Sequence, residues 1–312
     1  MWASVFVIGL IAYGAQGARC RALAIGGGSD LGAYEAGAII GLIQGLPSGE
    51  AQWDVVTGTG VGSVNGLILS MFAKGQESAA ATKLNSFWTS FTYDQFYQDW
   101  TGGYVTGLLL KSGLYDSSPL KKTLSGLQTG SFARVLGVGT TDLISAQYVY
   151  FESDQQSASS MTTGIYASAS DYTLFPIVYS GLKQLLTGAI LYSADLISAV
   201  TYCEKKGASI SEISVDVVLG SGKTITPVDA SNYKTLQVLN RYFAISSYNS
   251  VMQSITNAKH DFAGLNVRTV VYPSEDLPSP PQSYDYTPQQ LQQQISLGIS
   301  DGKALGTTLE EI

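Results

Sequence analysis

The sequence predicts an α/β fold, a mostly parallel central sheet with helices on both faces. Three observations predict it. Short apolar runs of strand length alternate with longer runs of helical period. Two of the strand-like runs end in glycine turns that open into helices, at Gly26-Gly27-Gly28 and at Gly58-Thr59-Gly60. The chain is also 45% hydrophobic and only 13% charged, against about 25% charged in an ordinary domain, which implies a large core. Strands that alternate with helices pair in parallel and need cover on both faces.

Taken in order, residues 5–13 are apolar and Ala15-Gln16-Gly17 supplies small residues of the kind found at a cleavage site. This fits a secretory signal peptide over residues 1–17. The apolar run is shorter than the ~20 residues of a comfortable bilayer span. Residues 18–312 are then expected to form a single domain in the secretory pathway or outside the cell. Residues 21–25 read as a buried first strand, residues 26–32 as a glycine loop and residues 33–46 as a helix. A second strand, Trp53-Asp54-Val55-Val56-Thr57, leads through a glycine turn into a helix over residues 64–72. Residues 77–120 mix aromatic with polar residues and give no clear period. Residues 133–142 are strand-like, with 147–151 as a hairpin partner. Residues 187–203 begin as a turn and become an amphipathic helix. A strand over 211–219, a helix over 234–259, a strand over 267–272, a Pro/Ser-rich loop over 278–288 and a helix over 289–305 complete the reading.

The net charge of −7 and the absence of any Lys/Arg run argue against nucleic acid and anionic membrane surfaces as partners. One histidine and two distant cysteines supply no zinc-ligand set, and no phosphate-binding Gly-x-x-x-x-Gly-Lys-Ser/Thr motif occurs. No metal and no cofactor are therefore expected. Cys20 and Cys203 are the candidates for one disulfide in an oxidising compartment. The alternative is two unpaired thiols too far apart to meet.

The most informative segment is Gly58-Thr59-Gly60-Val61-Gly62. A strand, a tight turn and a helix start are the layout of a nucleophile elbow, Gly-x-Ser-x-Gly. The frame glycines Gly58 and Gly62 are in place, but Gly60 stands where the nucleophile belongs. Three further segments accompany it. They are the loop ending in Gly32-Ala33-Tyr34-Glu35-Ala36-Gly37, the run Lys111-Ser112-Gly113-Leu114-Tyr115-Asp116-Ser117-Ser118-Pro119-Leu120, and Ala167-Ser168-Ala169-Ser170 followed by Phe175-Pro176.

In this order these segments resemble the patatin-like phospholipases, acyl hydrolases with a Ser–Asp dyad, over about residues 21–305. The resemblance implies the patatin-like three-layer fold. It also implies an oxyanion loop at Gly26, Gly27, Gly28 and Gly32. The family's dyad aspartate falls at Thr187, and a loop cation that usually precedes the last loop glycine falls at Leu31. Glycine forms no acyl-enzyme, and a threonine hydroxyl is no base near neutral pH. Leu31 removes a positive charge. The amides of Gly27 and Gly28 are expected to survive as a partial oxyanion hole.

Rescue by other residues is not expected. Ser63 reads as a helix-start hydroxyl bonded to backbone, Asp195 as a solvated or first-turn carboxylate, Asp30 as a turn residue and His260 as a surface residue near a helix end. The sequence thus points to a secreted pseudoenzyme, kept for a structural, assembly or binding role, with other protein subunits as partners. The alternatives are a lipid or fatty-acid binder that retains the acyl pocket, with residues 104–110 and 185–191 lining or covering it, and a residual acyl hydrolase.

Overall fold

The computed structural model describes residues 20–28, 30–128, 130–275, 277 and 286–305. The expected signal peptide and most of the Pro/Ser-rich loop lie outside the described residues.

Eight strands form one sheet: β1 (Cys20–Ile25), β2 (Val55–Thr59), β3 (Val135–Asp142), β4 (Gln147–Glu152), β5 (Val178–Ser180), β6 (Lys183–Thr187), β7 (Ile213–Val218) and β8 (Asn266–Val271). Their order is β5-β6-β3-β2-β1-β7-β8, with β4 also paired to β3. The stretch β3-β2-β1-β7-β8 is parallel throughout, and β4, β5 and β6 add an antiparallel edge. This is the mostly parallel α/β sheet expected from the sequence.

Side chains alternate across each strand, and the alternation makes two cores. Leu23, Ile25, Val56, Leu136 and Val138 point to one face. There they meet α1 (Gly32–Gly45), α2 (Gly62–Ser70), α3 (Glu77–Thr89), α5 (Ser118–Leu127), α6 (Ala158–Ser168) and α9 (Pro288–Lys303). Cys20, Ala22, Ala24, Val215 and Val217 point to the other face. They are covered by α7 (Leu196–Lys205) and the C-terminal half of α8 (Thr235–Asp261), through Val251, Ile255 and Ala258. The remaining helix, α4 (Gly103–Leu110), buries only Gly107.

The aromatic stretch with no clear period is therefore largely helical, as α3, α4 and the start of α5. Its helices were masked by composition: α3 is rich in Ala, Ser and Thr, while α4 is apolar all round. The strands β5 and β6 also went unassigned, being three and five residues long.

Two devices tie the ends of the described chain to its middle. Cys20 of β1 and Cys203 of α7 form a disulfide, with their Cα atoms 5.7 Å apart. In addition, α1 and α9 meet backbone to backbone. A Cβ at Gly37 would lie 2.3 Å from the Ile295 carbonyl oxygen, and one at Gly298 would lie 2.2 Å from that of Tyr34. Only glycine permits that approach.

Candidate functional site

The site is built by strand register. Thr59, the last residue of β2, pairs with Gly139, and the next residue of β3, Thr140, pairs with Thr187 at the end of β6. Residues 60 and 187 are thereby made neighbours at one edge of the sheet. Gly60 follows β2 with φ +58°, in the left-handed region, and α2 begins two residues later. A Cβ placed on Gly60 would lie 3.7 Å from Thr187 Oγ1. The two positions read from sequence as nucleophile and dyad partner thus face each other, carrying a glycine and a threonine.

The elbow frame is fixed by close contacts. A Cβ on Gly58 would lie 2.6 Å from the Gly62 carbonyl oxygen, and one on Gly62 would lie 2.4 Å from that of Gly26. The Gly60 N–H donates to Ser168 Oγ at 3.0 Å, and Ser63 Oγ donates to the Gly60 carbonyl at 2.6 Å. Ser63 is therefore a helix-start hydroxyl turned onto backbone, as its position suggested. Thr187 is fully buried. Its N–H donates to the Ser170 carbonyl and its Oγ1 accepts from the Ala189 N–H at 3.3 Å.

The glycine loop corrects one expectation. Gly27 does not offer its amide to a ligand, because that N–H donates to the Ser193 carbonyl at 2.7 Å. The Gly26 N–H likewise donates to the Val218 carbonyl at 2.7 Å. The Gly28 amide is turned inward against the carboxyl of Glu35, whose pKa it helps to lower. The loop also lies hard on the elbow: the Cβ of a residue 60 side chain would be 3.0 Å from Gly27 Cα. Gly32 opens α1 with Trp88 packed so close that a Cβ would meet its ring at 2.5 Å. Leu31 is half-buried against the core beside α1 rather than placed as a free loop side chain.

Beneath the loop sits a buried polar group that sequence reasoning passed over. Glu35 is fully buried, and Asn65 Nδ2 donates to its Oε2 at 3.2 Å while its Oε1 finds no hydrogen-bond partner. Burial pushes its carboxyl well above the usual range, more than Asn65 and Gly28 pull it back. Asn65 also donates to the Gly32 carbonyl and accepts from Trp88 Nε1 at 2.8 Å. A charged residue inside an otherwise apolar helical run was the available signal.

Of the two readings given for Asp195, the helix-start carboxylate fits the structure and the solvated one does not. It caps α7 by accepting from the Ser198 N–H at 2.9 Å, and it accepts from Tyr148 Oη at 2.8 Å. It is buried, and burial raises its pKa. The cause is β4, which lays Tyr148 across β3; a Cβ on Gly139 would lie 1.7 Å from the Tyr148 oxygen. Asp30 accepts from Tyr286 Oη at 2.5 Å. His260 is exposed near the end of α8.

Asp30, Val61, Trp88, Phe91, Phe96, Tyr286 and Leu291 enclose about 10 Å³, room for one water at most. Trp88, Phe91 and Phe96 form a chain of ring contacts, with centroids 5.2 and 5.1 Å apart. A larger cleft of about 380 Å³ lies around the start of β1, beside Cys20, Asp54 and Arg134.

A parallel sheet whose second strand turns through a glycine elbow into a helix, beside a glycine loop, defines the scaffold of an α/β acyl hydrolase. The chain belongs to the patatin-like phospholipase family, whose model matches residues 23–200. Among solved structures it is similar to VipD from Legionella pneumophila, with a TM-score of 0.43 and 12% identity. That match covers 92% of this chain and 66% of the VipD chain. No curated protein matches the chain.

Proposed function

We propose that this chain is a secreted patatin-like pseudoenzyme, retained for a structural, assembly or binding role rather than for ester hydrolysis. One observation carries the reading: the elbow position and its partner face each other as Gly60 and Thr187, a pair with neither nucleophile nor base. The engaged amides of Gly26 and Gly27 support it, since a developing oxyanion needs free donors. The buried positions of Ser63 and Asp195 support it too, because each is already committed to the fold. A large rigid domain of this kind suits a subunit that offers a surface to other proteins.

The reversal pair Gly60→Ser with Thr187→Asp tests the reading. Restoring both groups is expected to give no esterase turnover above the Gly60→Ser single variant, because the loop amides stay engaged. Recovery of turnover by a factor of a hundred or more in the double variant would mean that the oxyanion hole and acyl space persist. The fold would then be a hydrolase two substitutions from activity.

A further inference from the structure

α4 is a helix in the wrong solvent. Its sequence, Gly-Tyr-Val-Thr-Gly-Leu-Leu-Leu, holds no charged residue, and Gly107 is its one fully buried residue, with Gly103 and Thr106 half-buried. A Cβ at Gly107 would meet the Leu114 carbonyl oxygen at 2.1 Å. The other large side chains stand out: Tyr104, Val105, Leu108, Leu109 and Leu110 are 49 to 77% exposed. At 100° per residue these five project over more than half of the helix circumference. A protein surface covers one stripe of a helix, about 100° wide. Apolar side chains spread so widely around a helix match a medium that surrounds it.

A second apolar tip is joined to it at the base. The Ile177 N–H donates to Ser112 Oγ just after α4, and Gly113 packs against the backbone of Phe175 and Pro176. That stretch leads into the β5–β6 hairpin, whose turn carries Leu182 at 95% exposure beside Tyr179 at 68%. Each apolar tip is followed at once by an exposed lysine, Leu110 by Lys111 and Leu182 by Lys183. The Lys111 ammonium lies 4.8 Å from the centre of the Trp100 ring, while Lys183 faces Asp142. Apolar tips ringed by Trp, Tyr and Lys are the composition of a segment seated at a bilayer interface, with side chains in hydrocarbon and ammonium groups at the phosphates.

We infer that α4 and the β5–β6 hairpin form a shallow docking surface for a phosphate-bearing, electrically neutral lipid bilayer. The two lysines find the zwitterionic headgroup phosphates, while the net charge of −7 disfavours a strongly anionic surface. No described helix is long and apolar enough to cross a membrane, so the attachment is peripheral. The inference does not depend on whether the elbow is active.

Flotation of the purified protein with phosphatidylcholine vesicles tests it. The wild-type chain is expected to float, and Leu109→Asp and Leu182→Asp are each expected to cut the floated fraction at least five-fold. His260→Asp, on the far end of α8, is expected to leave it unchanged. Circular dichroism and unfolding midpoints establish that each variant is folded. Failure of the wild-type chain to float, or flotation of either leucine variant at the wild-type level, would overturn the inference. So would a wild-type dimer in light scattering that Leu109→Asp converts to monomer without vesicles, since α4 would then be a contact between copies of this chain.

Discussion

Gly60 holds a backbone conformation that L side chains reach only at a cost of about 1–2 kcal/mol. An active elbow bears that strain to present its nucleophile. Glycine carries no such strain here, and Gly27 Cα lies 3.0 Å from where a Cβ at position 60 would be. Gly60→Ser is therefore expected to lower stability by about 1–2 kcal/mol, read as a lower urea midpoint. Glu35 makes a second residue-scale prediction. Its carboxyl pKa is raised by burial, so the folded chain keeps a proton that the unfolded chain has released. Stability then falls as pH rises from about 4.3 toward the folded pKa, by at most about 1.4 kcal/mol per pH unit. Glu35→Gln removes that share. Urea unfolding is expected to find variant and wild type alike near pH 4, and the variant more stable near pH 8. Asp195, also raised by burial, contributes its own slope equally to both. The glycine at 60 and the threonine at 187 were legible in the sequence, because motif spacing fixes which residue stands at the turn. The engagement of Gly27 was not, since its acceptor, Ser193, lies far along the chain in the segment between β6 and α7.

The strands of the parallel core and most helices followed from period alone, since buried runs and amphipathic faces differ in spacing. What period could not reveal is contact between distant elements. The spacing of Gly37, Gly41 and Gly45, and of Gly298 and Gly302, is visible in the sequence, but only the packed pair gives it meaning. Every one of these glycines sets backbone within 3 Å of where a Cβ would be. Gly298→Ala should then destabilise by about 1–3 kcal/mol or more through overpacking, seen as a lower denaturation midpoint with an unchanged fold by circular dichroism. The disulfide acts on the same scale. It joins residues 183 apart in sequence, and in the chain-entropy account a loop of that length contributes up to about 5 kcal/mol. The double variant Cys20→Ala/Cys203→Ala is expected to lose several kcal/mol in urea unfolding. An unchanged midpoint would assign α7's attachment to packing alone.

At the scale of the molecule, the apolar composition, low charge and acidic balance are those of a protein with a large core and no electrostatic call on nucleic acid. The fold keeps the hydrolase frame, with strand, elbow and loop in register. Groups of that frame bond internally: the Gly27 N–H to the Ser193 carbonyl, the Gly60 N–H to Ser168 Oγ and the Ala189 N–H to Thr187 Oγ1. On the proposed reading the scaffold serves to present surface, and α4 and the β5–β6 hairpin carry exposed apolar side chains on it. The direct test of the central claim is turnover of a short-chain chromogenic ester by homogeneous protein, across a range of protein concentrations. The account predicts a rate indistinguishable from buffer at every concentration. A rate that scales with protein concentration, and survives repurification to constant specific activity, would contradict it.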